Sequence, residues 1–144
     1  MRDLVDSVLA CSSAPQNWNV TLDAFCDTFN ISACCMFSVH EFRETRMNFA
    51  WSDYHRKHLP PGAVEAMQRG DDAGDQAGYQ FLYANPAQTL YDEMTIYQVN
   101  RYEDLPPSNV RDITESMGLT MRVAAALNTR GPWLDGLFCQ HLDR

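Results

Sequence analysis

The sequence predicts an α+β domain in which an antiparallel β-sheet is covered by helices on both of its faces. Two pairs of strand-like segments, each pair joined by a short turn, supply the sheet. Segments with apolar residues at steps of three and four supply the helices. A chain of 144 residues forms one hydrophobic core more readily than two, so we expect a single domain over residues 1–144.

Two helices are predicted before the first strand. The first covers Asp3–Cys11 and the second Asn17–Phe29, which Asn30 is suited to end. Their apolar stripes consist of Leu4, Val5, Val8 and Leu9 in the first helix and of Trp18, Leu22, Phe25, Cys26 and Phe29 in the second. Each stripe requires a covering surface, from the sheet or from a second copy of the chain.

The first hairpin is predicted to join strands over Ile31–Phe42 and Met47–Trp51 through a polar turn at 43–46. Alternation of side chains places Cys34 and Cys35 on opposite faces of the first strand, so the two cysteines cannot share one site. Both faces of this strand are mostly apolar, which is typical of a strand covered on both sides.

The middle of the chain is predicted to be helical and irregular. A basic turn at Tyr54–His58 leads to helices over Ala63–Gln68 and Gln76–Tyr83. The segment Thr89–Asn100 is ambiguous between a short strand and a helical turn.

The last third of the chain is predicted to form one helix and a second hairpin. Ser108 is suited to cap the helix and Gly118 to end it. Its apolar side consists of Val110, Ile113 and Met117, and its other side of Arg111, Asp112, Glu115 and Ser116. Strands over Leu119–Asn128, interrupted by Thr120 and Arg122, and over Trp133–Leu142 then flank a turn at 129–132.

Composition excludes several classes of partner. The net charge is −8 and Lys57 is the sole lysine, so the chain by itself is expected to repel the phosphates of nucleic acids and anionic membranes. The sequence contains no apolar run of membrane-spanning length and no signal-peptide core. Five cysteines without a CxxC motif indicate reduced thiols, and we expect a cytoplasmic protein.

Two clusters could in principle bind a metal. Asp71, Asp72 and Asp75 lack the spacing of a calcium loop and are better explained as helix-capping carboxylates. Asp53, His55 and His58 lack a further ligand, and a solvated basic helix start explains the histidines better. No catalytic motif is recognisable, so we expect no enzyme, no catalytic residue, no metal site and no cofactor.

Aromatic residues give the best indication of a binding site. They concentrate on the first hairpin and on the middle segment that should lie over it, as in the walls of small-molecule pockets. The candidate ligand-binding residues are Phe37, Phe49, Trp51, Tyr54, Tyr79, Phe81, Tyr83, Tyr91 and Tyr97, together with Met121 from the last hairpin. The alternative is that these side chains fill the core.

The stretch 105–141, LPPSNVRDITESMGLTMRVAAALNTRGPWLDGLFCQH, resembles the N-terminal sensor domain of LuxR-type transcriptional regulators. The shared features are an acidic connector, the helix start LPPS, the strand entry GL and the turn GPW, in this order. The resemblance implies a PAS/GAF-like fold, similar to autoinducer-binding domains, that senses a small molecule or dimerises. It also implies a DNA-binding helix-turn-helix domain further along the gene, so we expect a chain ending at Arg144 to be an excised sensor domain.

The chain differs from the quorum-sensing members of that family. Their lactone pocket carries a tryptophan and a tyrosine four apart followed by Asp-Pro, whereas Trp51 and Tyr54 are three apart here and no Asp-Pro occurs. The leading hypothesis is therefore a homodimeric sensor of an unidentified small molecule. The alternatives are a dimerisation domain without a ligand and a small α+β enzyme that uses His55 or His58 as a base.

Overall fold

A computed structural model describes residues 2–11, 13–41, 44–68, 73–86 and 90–142, and it contains a five-stranded antiparallel sheet. The strands are β1 (Ala33–His40), β2 (Glu44–Trp51), β3 (Tyr91–Asp92), β4 (Val123–Arg130) and β5 (Trp133–Gln140). Their order across the sheet is β2-β1-β5-β4-β3, so the two predicted hairpins lie side by side through the pairing of β1 with β5.

Helices lie on both faces of this sheet, and the predicted α+β class is confirmed. The helices are α1 (Arg2–Cys11), α2 (Trp18–Phe29), α3 (Asp53–His58), α4 (Ala63–Gln68), α5 (Ala73–Ala84), α6 (Glu93–Tyr97) and α7 (Asn109–Ser116). Helix α2 covers one face and carries α1 on its outer side, whereas α3 to α7 cover the other face.

Several local signals end or begin elements where the sequence predicts it. Asn30 adopts the left-handed conformation at φ 52° and closes α2. The Ser108 hydroxyl caps α7 by accepting a hydrogen bond of 3.0 Å from the backbone N–H of Arg111. Gly131, at φ 56°, opens a two-residue turn between β4 and β5, which is shorter than the predicted turn at 129–132 because β4 continues to Arg130.

Several boundaries differ from the sequence-based expectation. Strand β2 begins at Glu44 rather than Met47, so the residues from 44 to 46 that were predicted in a turn belong to the strand. The segment 54–58 is a helix rather than a turn, and Asp92 caps α6 by accepting a hydrogen bond from Thr95 N, which resolves the ambiguous middle segment. Strand β4 begins at Val123 rather than Leu119, because Leu119 forms only an isolated bridge with Leu142. The predicted strand end at Phe42, the turn residue Arg43 and Thr89 lie outside the described residues.

The core has two parts, one on each face of the sheet. The larger part joins the aromatic residues of β1, β2 and β5 to α3–α7, and the smaller joins Leu22 and Cys26 of α2 to Cys34 and Cys139. The Phe37 ring lies directly over Gly136, where any added Cβ would overlap it. The side-chain alternation predicted for β1 is confirmed: Cys35, Phe37 and Val39 are buried on one face, and on the other Cys34 is buried and the residues after it are partly buried.

The outer side of α1 carries exposed apolar residues. Helix α1 packs on α2 through Cys11, whose Sγ lies 3.2 Å from the Thr21 hydroxyl. Val5, Val8 and Leu9 stay exposed, although the sequence placed them with Leu4 in a single covered stripe. Among the described helices, none has both the length and the apolar character needed to cross a membrane.

Candidate functional site

A cavity of about 40 Å³ lies between the sheet and helices α5, α6 and α7. It is lined by Phe37, Phe49, Asp75, Gly78, Tyr79, Leu82, Glu93, Ile96, Tyr97, Val110, Arg122, Ala124 and Phe138. The sheet supplies mostly aromatic walls, and the helices supply both apolar residues and charge. It is the candidate functional site.

The aromatic walls are held together by ring contacts. The Phe37 ring centroid lies 5.5 Å from that of Tyr79 and 6.1 Å from that of Phe138, and both pairs are tilted. Tyr97 approaches α5 at Gly78, where an added Cβ would lie 2.6 Å from the Tyr97 hydroxyl oxygen. A glycine at position 78 therefore makes room for the Tyr97 phenol beside the cavity.

A buried ion pair forms the polar side of the cavity. Nη2 and Nε of Arg122 donate to Oε1 of Glu93 at 2.6 and 3.1 Å, and the backbone N–H of Arg122 donates to Oε2 at 3.1 Å. The Glu93 side chain is only 2% exposed. One carboxylate thus binds both the guanidinium and the backbone of Arg122, which is a strong, directional arrangement.

Ser108 connects this ion pair to α5. Its hydroxyl donates to Oδ1 of Asp75 at 2.5 Å and accepts a hydrogen bond of 3.2 Å from Nη2 of Arg122. The same hydroxyl caps α7 through the backbone N–H of Arg111. Asp75, at 4.0 Å from Nη2 of Arg122, is a second carboxylate beside the same cation.

Arg111 adds a second cation to the network. The prediction that Arg111 lies on the polar side of its helix is wrong. The residue is buried, and its Nη1 lies 3.8 Å from Oε1 of Glu93. Its Nη2 donates to the carbonyl of Pro106 at 2.5 Å. Two arginines and the carboxylates of Asp75 and Glu93 therefore balance in charge within one buried cluster.

Burial and charge set the protonation of the polar groups. Burial by itself lowers the pKa of Arg122, but the carboxylates of Glu93 and Asp75 outweigh that effect and raise the pKa above its ordinary value, so the cation persists. Burial raises the pKa of Tyr97 to about 12, and it also raises the pKa of Tyr79. Both phenols are protonated at neutral pH, so the site offers donors as well as acceptors.

Four of the predicted ligand-binding residues line the cavity: Phe37, Phe49, Tyr79 and Tyr97. Four others, Trp51, Phe81, Tyr83 and Tyr91, pack in or against the same core without lining the cavity. Trp51 stacks on Phe49 with ring centroids 4.7 Å apart, and the Tyr83 hydroxyl donates to the Gly131 carbonyl. The four lining residues come one each from β1, β2, α5 and α6, whereas Phe81 and Tyr83 of α5 lie outside the lining.

The remaining two predicted residues lie elsewhere. The Tyr54 hydroxyl donates to the carbonyl of Met117 at 2.8 Å, within a small cluster that also contains Ala33 and Leu119. Met121 lines a separate groove together with Tyr102. These two side chains contribute nothing to the cavity.

The charged residues of the cavity were not predicted from the sequence. Asp75 was interpreted as a capping residue, and Glu93 and Arg122 are separated by 29 positions in the chain. The one available signal was Arg122 itself, a charged residue within an otherwise apolar strand-like segment. Such a residue is buried only with a partner, and periodicity does not reveal where that partner lies.

The solvated environment that was expected for the two histidines is wrong for His55 and is confirmed for His58. His55 is fully buried, with its ring 4.9 Å from that of Trp51 and its Nδ1 3.3 Å from the Ser52 hydroxyl. Burial lowers its pKa to about 4, so the ring is neutral. His58 is exposed and stacks on Tyr54. Within the described ranges, no three His, Cys, Asp or Glu side chains form a group that could hold a metal, and Asp71 and Asp72 lie outside those ranges.

Arg122→Met tests the buried ion pair. The change leaves the Glu93 carboxylate buried without its main partner, so we expect the free energy of unfolding to fall by about 3–5 kcal/mol. Adding Glu93→Leu should recover part of the loss, as measured by urea denaturation at neutral pH. The matched control is Arg101→Met, which breaks an exposed pair with Glu103 and should change stability little. Additive losses in the double variant would contradict the coupling.

His55 should make stability depend on pH. Its pKa of about 4 in the fold lies below the ordinary 6.5, so its stabilising contribution is complete above pH 6.5 and is lost as pH falls towards 4. The loss should reach about 3 kcal/mol. Urea denaturation from pH 7 to 4 should give a flatter profile for His55→Gln than for the native protein. The exposed control His58→Gln should keep the native slope, and equal slopes in all three proteins would contradict the assignment.

No family model matches the chain, and no curated protein matches it either. The resemblance of the stretch 105–141 to LuxR-type sensor domains therefore stays a prediction from the sequence. The cavity and its charged cluster are defined by their own geometry, which is the basis for the function proposed below.

Proposed function

We propose that the chain is a non-catalytic, small-molecule-sensing and dimerising domain of a LuxR-type transcription regulator. The observation that carries the proposal is the aromatic cavity with the Arg122–Glu93 pair on one side, enclosed between the sheet and α5–α7. Apolar walls with a few oriented polar groups are the usual lining of small-molecule sites. The sequence resemblance over 105–141 supports the choice of regulator family.

The chemistry of the lining defines the ligand class. Arg122 and the Tyr97 phenol can donate hydrogen bonds, whereas Asp75 and Glu93 can accept them. Phe37 and the other aromatic walls favour an apolar body. We therefore propose a ligand of mixed character, with an apolar portion against the sheet and a polar group directed at the charged cluster.

The size of the cavity implies a conformational response. A volume of 40 Å³ accommodates about three water molecules, whereas pockets for drug-sized ligands measure about 300–1,000 Å³. A ligand of that size requires α5 and α6 to separate from the sheet. Binding would then select a more open arrangement of these helices, and that shift in population is the proposed signal.

The remaining parts of the proposal follow from the sequence. With a net charge of −8, the chain would contact DNA only through a helix-turn-helix domain downstream of it. Free thiols at Cys11, Cys26, Cys34, Cys35 and Cys139 favour a cytoplasmic location.

Ala124→Val tests the cavity as the ligand site. Two added methyl groups should fill the space, so a small molecule retained by the native protein should bind more than about tenfold more weakly. Native mass spectrometry of protein purified from its source organism provides the measurement. Ala126→Val is the matched control, because Ala126 packs against the same core outside the cavity lining. If the native protein retains no small molecule, the sensing proposal fails.

A dimer interface on the outer side of α1 is supported by a separate observation. Val5, Val8 and Leu9 are 53%, 41% and 65% exposed and occur at helical spacing on one side of α1. Val20 of α2 is exposed as well. Exposed apolar residues on one side of a helix are typical of association, and a second copy of the chain offers the same residues in return.

Val8→Glu combined with Leu9→Glu tests this interface. Introducing two carboxylates into an apolar contact should convert a dimer into a monomer, as measured by sedimentation velocity at micromolar concentration. Leu90→Glu is the control, since Leu90 is 57% exposed and precedes β3, at the opposite edge of the sheet from β2, whereas α1 packs on α2 beside β1 and β2. A native protein that sediments as a monomer would contradict the dimer.

A further inference from the structure

Two thiols from different elements touch beneath α2. Cys26 lies in the last turn of α2 and Cys34 in β1, and their Sγ atoms are 3.3 Å apart. The Cys34 thiol also lies 3.6 Å from the carbonyl of Leu22. The sequence predicted that Cys34 and Cys35 face opposite sides of the sheet and cannot share one site, which the structure confirms, and the partner of Cys34 comes from α2.

We propose that Cys26 and Cys34 are a modification site, in which a hydroperoxide oxidises Cys26 and Cys34 then closes a disulfide between α2 and β1. The proposal rests on the contact between the two sulfurs and on the position of Cys26 in the wall of an open groove. It is independent of the small-molecule function proposed above.

Access distinguishes the two thiols. Cys26 lines an open groove of about 530 Å³ beside α3, a space large enough for a small hydroperoxide. Other residues of this groove are Asp23, Asp27, Ile31, Ser32, Ser52, Asp53, Tyr54, Lys57 and His58. Cys26 is 9% exposed, whereas Cys34 is fully buried beneath it. An oxidant therefore meets Cys26 first.

The hydrogen bonds around the pair favour the same order. The contact with the Cys34 thiol lowers the pKa of Cys26 against the opposing effect of burial, and the Ser52 hydroxyl lowers it further. The contact with Cys26 and burial raise the pKa of Cys34 well above its usual range. Cys26 is therefore the first of the pair to lose its proton.

The chemistry proceeds in two balanced steps. The Cys26 thiolate attacks one peroxide oxygen, so an S–O bond forms, the O–O bond breaks, and the leaving alkoxide takes up a proton to become an alcohol, or water from hydrogen peroxide. Sγ of Cys34 then attacks Sγ of Cys26, and the S–O bond breaks as hydroxide leaves with the proton of the Cys34 thiol. The two thiols give up two electrons, which reduce the peroxide.

The geometry requires only a small approach of the two sulfurs. A disulfide bond is about 2.05 Å long, so the atoms must close by about 1.3 Å from their present separation. The competing partner is Cys139, which faces Cys34 across the β1–β5 pairing. Burial raises the pKa of Cys139 to about 12, and Cys139 does not line the groove, so it is the poorer candidate for first oxidation.

Treatment of the reduced chain with hydrogen peroxide tests the proposal. We expect a loss of about 2 Da in the intact mass, reversed by dithiothreitol, which corresponds to one disulfide. Chymotrypsin cuts after Phe25, Phe29 and Phe37, so the oxidised chain should yield the segment 26–29 cross-linked to the segment 30–37. A link that involves Cys139, oxidation of Cys26 without a disulfide, or no change in mass would overturn the proposal.

Variants assign the link to individual cysteines. Cys26→Ser and Cys34→Ser should each abolish it, whereas the matched control Cys35→Ser, one position along β1 on the other face, should retain it. Circular dichroism checks that each variant is folded. A measurement without variants complements them: N-ethylmaleimide should label Cys26 at least about tenfold faster than Cys34 in the reduced native protein. Equal labelling rates would overturn the assignment of Cys26 as the attacked thiol.

Discussion

The buried guanidinium of Arg122 determines how the helices on one face of the sheet are placed. Removing a cation from water costs several kcal/mol, which only closely placed carboxylates and hydrogen bonds can offset. Glu93 begins α6, Asp75 lies in the first turn of α5, and Ser108 caps α7, so three helices contribute partners to one side chain that precedes β4. These helices cannot be rearranged independently, because the displacement of any one of them would leave a buried charge or hydroxyl without its partner. The cavity lies where they converge.

The two faces of the sheet carry different kinds of side chain. On the α3–α7 face, large rings fill the space, and Gly136 is required because the Phe37 ring occupies the position of a side chain there. On the α2 face the central positions are small thiols, which allow α2 to approach the strands closely. Adjacent residues of β1 therefore belong to different environments: Cys34 contacts the thiol of α2, and Cys35 packs with the aromatic core.

Local features were predictable from the sequence, and long-range pairings were not. Asn30, Ser108 and Gly131 end or begin elements through backbone geometry and capping that depend on a few neighbouring residues, and the two-sided burial of β1 follows from its apolar alternation. The partners of Arg122 come from distant segments of the chain. Helical periodicity predicted that Arg111 faces solvent, because the pattern reflects the polarity of a side chain and not its pairing with other side chains. The burial of His55 was not predicted for the same reason, since its ring is buried against Trp51 by tertiary packing alone.

The sheet is a single layer of backbone, and the thiol pair and the cavity lie on its two sides, where β1 contributes Cys34 to the thiol pair and Phe37 to the cavity. A bond to α2 that displaces β1 would also displace the side chains that pack on the other face of this strand. Thermodynamic linkage makes such coupling reciprocal: a ligand that binds the oxidised form tenfold more tightly than the reduced form shifts the midpoint potential of the thiol pair by about 30 mV. Ligand binding in the cavity and oxidation of the thiol pair would then be coupled through β1, the strand that contributes side chains to both sites.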